Sequence, residues 1–220
     1  SHLMSNPSSS RFALSALAAL TVSLSACGDD DDPITQIPPG AADIGADINT
    51  SRTLFADTTY TLTDYVHVNT GATLTIQPGT VIKARQGSAL FIMRGAKIVA
   101  DGRADAPIVF TSDRPADSRA PGDWGGLVIV GNGIISRTGQ IELEGTNEGS
   151  PSNVSVIYSG GTDNADSSGV LRYIRIEFAG FGPATNEELN SLTLAAVGSR
   201  TRIEYVQTMM GLDDSFEWFG

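Results

Sequence analysis

The sequence predicts an all-β protein wound as a parallel β-helix, and three observations predict it. Short apolar runs sit among Thr and Gly and show the two-residue period of a half-buried strand. Each run is closed by Gly, Asn or Asp, the residues that turn a chain. The runs also echo one another in composition, at spacings of about 16–25 residues. One such strand cannot bury its own face, so neighbours must stack into a continuous core. Units of that length would make roughly seven coils, which at about 4.8 Å each give a rod of about 30–35 Å. Short strands with turns suit a β-sandwich as well, which is the alternative architecture. Against it, hairpin dipeptides that would join adjacent strands are largely absent.

Composition bounds the function. The 220 residues carry 14 Lys+Arg and 25 Asp+Glu, a net charge of −11. That balance argues against nucleic acid, because it leaves no excess of cations to displace phosphate counterions. With 40% hydrophobic and 18% charged residues, global disorder is not expected. The 24 Gly and 10 Pro favour a turn-rich, strand-rich chain. A single Cys excludes an internal disulfide and a multi-Cys zinc site.

The elements follow in order. Residues 1–3 (Ser1-His2-Leu3) read as a cloning scar before Met4, and residues 4–26 as a signal peptide. Arg11 supplies a weakly positive start, and Phe12 to Leu24 is an apolar stretch too short to span a bilayer. Leu24-Ser25-Ala26-Cys27 matches the bacterial lipobox, with Cys27 as the thiol that takes the lipid. The expected location is therefore the bacterial outer membrane or cell surface, with the membrane as a partner through acyl chains on Cys27. Asp29, Asp30, Asp31 and Asp32 repel one another and form a solvated tether, extended by Pro33, Pro38, Pro39 and Gly40. An acidic run at this place resembles the export signal of bacterial surface lipoproteins. Residues 27–57 are thus expected to be tether and capping segment, and 58–220 the solenoid.

From Thr58 the pattern is β. Leu74 and Ile76 alternate with Thr73 and Thr75. ATLTIQPG at 72–79 is echoed by SALFIMRG at 88–95, then come AKIVADG at 96–102, APIVFTSD at 106–113 and GGLVIVGNG at 125–133. VLRYIRIEFAG at 170–180, NSLTLAAVGS at 190–199 and TRIEYVQTMMG at 201–211 complete the series. No window carries a helical period, and Asn186 to Leu189 is one helical turn at most. Gly145 to Ser152 reads as a loop, the long excursion from a coil corner.

The motifs TLTIQPGTVIKARQGSALFIMRGAKIVADGRADAPIVFTSD, PGDWGGLVIVGNG, SGVLRYIRIEFAGF, NSLTLAAVGSRTRIEYVQ and GLDDSFEWFG together resemble repeat-bearing bacterial lipoproteins with a right-handed parallel β-helix. The resemblance covers about residues 55–220. It implies that such chains continue past FEWFG, so this one reads as an N-terminal portion ending in an open sheet edge. It implies no assigned activity.

Candidate sites stand beside simpler readings. Asp213, Asp214 and Glu217 could supply the paired carboxylates of a glycosidase, with Trp218 stacking on a sugar; the same residues read as a turn, with Phe216 and Phe219 packed inside. Arg172, Arg175 and Arg202 could be a lyase base, or solvated strand residues paired with Glu177 or Glu204. Trp124 is a second candidate for ligand stacking, and Asp123 beside it is a coil-corner carboxylate or a turn. Asp163 and Asp166 cluster oxygens as calcium would require, although Ala165 breaks EF-hand spacing; the polar loop is the simpler reading, and no other cofactor is expected. His67 is the one histidine outside the scar, and no nucleophile elbow accompanies it.

The first functional expectation is a non-catalytic, lipid-anchored cell-envelope protein that presents a solenoid face to a glycan or a surface partner. The alternatives are a polysaccharide lyase or glycoside hydrolase, and a surface adhesin.

Overall fold

The computed structural model describes residues 40–146, 155–182 and 188–220. They wind as a right-handed parallel β-helix with three sheets around one apolar lumen. Every pair of named strands is parallel, which excludes the sandwich; among the described residues only the isolated bridges Arg103–Ala106 and Glu142–Ile157 are antiparallel.

The first sheet stacks β2 (Arg52–Leu54), β5 (Thr73–Ile76), β8 (Lys97–Asp101) and the first half of β11 (Gly169–Glu177). The second stacks β1 (Gly40–Ile44), β3 (Thr58–Leu62), β6 (Val81–Ala84), β9 (Ile108–Ser112) and the second half of β11. Strand β13 (Arg202–Met209) lies on both halves of β11. The two strands turn the corner between the sheets without breaking, at Tyr173 and Tyr205, whose φ values are 49° and 52°. The third sheet stacks β4 (Tyr65–Val68), β7 (Ala89–Ile92), β10 (Leu127–Val130), β12 (Leu192–Ala195) and β14 (Phe216–Phe219).

Five coils result, preceded by a partial one, instead of the expected seven. The difference has two causes. The described residues between β10 and β11, 131–146 and 155–168, belong to an excursion and contribute no coil. The echo between 72–79 and 88–95 relates two faces of one coil, whereas the strand that lies on β5 is β8, with Thr73 on Lys97. The partial coil starts at Gly40, ahead of the expected Thr58. β1 lies on β3, and Ile48 bridges to Val68. Within the segment expected to be tether and cap, Ile44, Ile48 and Leu54 already point into the lumen, at 3%, 5% and 1% exposure. Ile44 and Ile48 have only small or polar neighbours, and Phe55 follows Leu54 directly, so the alternation is faint in the sequence.

Turn chemistry explains the early coils. Gly71, Gly79, Gly87 and Gly95 all have positive φ, between 74° and 86°. In each turn the following N–H bonds back to the carbonyl three residues earlier: Ala72 to Asn69, Thr80 to Gln77, Ser88 to Arg85 and Ala96 to Met93. This is the arrangement of a type II turn, which needs glycine at its third position and favours a proline such as Pro78 at its second. A strand and a turn make one face, and three faces close a coil.

At the first end of the stack, Arg52 occupies a lumen row above Leu74 and sets its guanidinium over the Tyr60 ring, 6.0 Å from the centroid.

Two outcomes are expected. Ile76, 1% exposed, lies between Leu54 and Ala100 in one lumen row, so Ile76→Asp should abolish the cooperative urea transition, a buried unpaired charge costing several kcal/mol. At Gly87 an added Cβ meets nothing within 4 Å, so Gly87→Ala isolates the backbone term. It should lower stability by about 1 kcal/mol, read as a lower urea midpoint with an unchanged slope.

Candidate functional site

The first four strands of the third sheet, β4, β7, β10 and β12, are buried on both faces. In β4, Val66 and Val68 face the lumen and Tyr65 and His67 face out, yet all four are buried. The cover is the excursion, whose Leu143, Val156 and Tyr158 form a second apolar cluster with Tyr65, Phe91, Val128, Val130 and Ala195. Arg94 fastens it: Nε donates to Gly131 O at 3.0 Å, and Nη2 donates to Tyr158 O at 2.7 Å and Ser159 O at 2.8 Å. One cation thus satisfies three carbonyls, one where the chain leaves β10 and two within the excursion.

His67 packs on Phe91 with centroids 5.0 Å apart. Its Nδ1 lies 3.0 Å from Asp47 Oδ1, which also accepts the His67 N–H at 2.9 Å. Burial pushes the Asp47 carboxyl up, but the backbone and side-chain hydrogen bonds from His67 outweigh it and leave the group below its ordinary value. This pair joins the partial coil to the first full one.

The two tryptophans fare differently from expectation. Trp124 is fully buried, stacked on Phe110 with centroids 6.3 Å apart, and its Nε1 donates to Glu177 O at 2.8 Å. It is a core residue and cannot stack on a ligand. Beside it, Asp123 is a turn lock, accepting from Ser112 Oγ at 2.6 Å and Ala120 N at 3.0 Å. Trp218 is 68% exposed, but it continues the lumen row after Leu194. It stacks on Phe216 and lines a cavity of about 380 Å³ with Ile134, Asn164, Leu194, Val197 and Phe219. Phe219 faces outward, against Tyr158, and not into the lumen as expected.

Asp213 and Asp214 are exposed on the turn before β14, and Asp214 O accepts the Ser191 N–H at 3.0 Å. Glu217 projects from β14 beside Thr193 and accepts a hydrogen bond from Asn190 Nδ2. Burial, then the charges of Glu144, Asp214 and Asp213, push its carboxyl above the ordinary value, against that hydrogen bond. Glu144, Asp213, Asp214 and Glu217 thus share one acidic region.

The arginines are engaged. Arg172 lies 2.7 Å from Asp101, Arg175 2.7 Å from Glu177 and Arg202 2.6 Å from Glu204. Arg175 does point outward between buried Ile174 and Ile176. Asp163 Oδ1 accepts the Ala165 N–H at 2.8 Å, and Asp166 Oδ2 the Asn132 N–H at 3.0 Å, so both carboxylates hold the excursion's own backbone. No group of three or more His, Cys, Asp or Glu able to hold a metal occurs among the described residues. Cys27 lies outside the described residues.

A further polar network lies outside the third sheet, where no single motif marked it. Thr111 Oγ1 donates to Glu177 Oε2 at 2.7 Å, and Arg119 Nη1 donates to Thr111 Oγ1 at 3.3 Å. Arg114 lies 3.3 Å from Asp123, and Arg85 3.6 Å from Asp113. Its only sequence signal is charge in the turns after β6 and β9 and at the end of β11, which needs the coil register to be read.

A family model described as a pectate-lyase-like β-helix domain matches residues 46–220. Searches of curated proteins and of solved structures returned no match.

The acidic region makes a pH prediction. A carboxyl raised on folding binds its proton more tightly in the native state, so ionised Glu217 costs stability above its native pKa. That cost fades as pH falls through the raised pKa toward the unfolded value. Glu217→Gln should therefore raise the melting temperature at pH 7 and leave it nearly unchanged at pH 4.

Proposed function

We propose that this chain, which belongs to the pectate-lyase-like β-helix family, is a lipid-anchored protein of the bacterial cell envelope that holds an extended glycan without cleaving it. The observation that carries this reading is the pairing of every strand arginine that could have served as a base. Arg172, Arg175 and Arg202 each sit within 2.7 Å of a carboxylate oxygen. Each guanidinium is thereby committed to a carboxylate, and at Arg202 the Glu204 hydrogen bond pushes the pKa up. Ligand contact on a solenoid of this kind falls to rows of outward side chains repeated from coil to coil. The sequence Leu24-Ser25-Ala26-Cys27 supports the anchor.

A second reading has its own support. A glycosidase needs a carboxylic acid that stays protonated, and Glu217 has the raised pKa of such a group. Reducing-end release from a panel of acidic and neutral polysaccharides separates the two. Binding without cleavage predicts no product from the wild type or from Glu217→Gln. Product from the wild type that Glu217→Gln abolishes would replace it with the hydrolase. For the anchor, Cys27→Ala should move the protein from the membrane fraction to the soluble one, and unchanged partition would defeat that part.

A further inference from the structure

Three outward strand carboxylates are each neutralised by an arginine: Asp101 by Arg172, Glu177 by Arg175 and Glu204 by Arg202. Glu217 differs. It faces outward from β14, and the group that holds it is the neutral amide of Asn190. Among the described residues no ion pair joins Glu217, Asp213 or Asp214 to a cation. The charged groups that face Glu217 are Glu144 from the excursion and Asp213 and Asp214 from the preceding turn, all acids, and β12 beside it carries no charge.

The same place leaves two hydroxyls unmatched. Thr193, 2% exposed, is the register neighbour of Glu217 on the outward face of β12, and its Oγ1 has no hydrogen-bond partner. Ser191, just ahead of β12 and fully buried, also leaves its Oγ without one. That oxygen lies against the turn that carries the two aspartates. A Cβ added to Gly211 would stand 2.8 Å from it, and Asp214 O accepts the Ser191 N–H. Buried hydroxyls are nearly always satisfied, so two unmatched ones beside a carboxylate without a counter-charge mark a place for a cationic donor.

The oxygens present select the kind of cation. No three of the acids form a group able to hold a metal among the described residues, and the unmatched oxygens are neutral hydroxyls. An alkyl ammonium carries three N–H donors on one charge, so it can meet a carboxylate and hydroxyls together. A net charge of −11 draws such a group toward the protein.

We infer that Glu217, Thr193 and Ser191 form a binding site for a primary alkyl ammonium group, brought by a free polyamine or by a lysine side chain. This site stands apart from the glycan reading. Calorimetric titration of the intact protein with cadaverine, with a capped lysine tripeptide and with tetramethylammonium tests it. Cadaverine or the peptide should bind, and the tighter of the two identifies the source. Tetramethylammonium has the same charge and no N–H, and should bind about tenfold more weakly or worse. Binding should weaken as pH falls through the raised pKa of Glu217, because the site needs its ionised form. Glu217→Gln should weaken binding about tenfold and Thr193→Val about threefold. Both variants should fold, since one removes a carboxylate that is costly to ionise and the other an unmatched buried hydroxyl of the same shape. Asp105→Asn, an exposed acid paired with Arg103 on another turn, should change nothing. Failure of both amines to bind, equal binding of tetramethylammonium, or binding indifferent to Glu217→Gln and Thr193→Val would overturn the site. None of these results bears on the glycan reading.

Discussion

Everything in this molecule depends on the in-register stacking of parallel coils around a dry lumen. Side chains on a strand alternate between faces, so a slip of one residue would turn Leu74, Ile76 and their partners outward and drive Thr73 and Thr75 into the core. The turns prevent it. A glycine at the third position of successive turns gives each face the same length, and the lumen rows Leu54–Ile76–Ala100–Leu171 and Val68–Ile92–Ile129–Leu194 follow. Hydrogen bonds between coils then run along the stack, so each coil satisfies the backbone of the one before it.

That regularity makes the surface readable as rows. Charges on the first sheet alternate in sign across coils, with Asp101 on Arg172 and Arg172 on Glu204, and so cancel. On the second sheet cancellation is incomplete, because Thr111 stands where a carboxylate would have paired Lys83. On the third sheet no outward row is left to solvent in its first coils, since the excursion covers it with apolar side chains. The three sheets share one repeat and differ in what their outer positions carry.

The strands were legible because alternation is local: Leu74 and Ile76 amid threonines need no tertiary information. The coil period was not. Strands on different faces have similar composition, so the echo at 72–79 and 88–95 looked like a repeat although it spans only part of one. The early start at Gly40 was hidden because Ile44, Ile48 and Leu54 stand too far apart to mark strands by alternation. Among the candidate sites, Trp124 and Trp218 looked equivalent as aromatic residues near acids. Burial separates them, and burial depends on which coil lies above. The pairs that employ Arg172, Arg175 and Arg202 were partly visible, since Glu177 and Glu204 lie two residues away on the same strands, whereas Asp101 is brought to Arg172 only by stacking.

The excursion between β10 and β11 leaves and returns at one corner, and Gly169 resumes the pile on Ile98 as though nothing had intervened. Lengthening such a detour is inexpensive, since each doubling of a flexible loop adds only about 0.6 kcal/mol of closure entropy. The architecture therefore contains a socket for foreign chain. Descendants of this fold can exchange one surface ornament for another there, and acquire new recognition without renegotiating the geometry of the shaft that carries it.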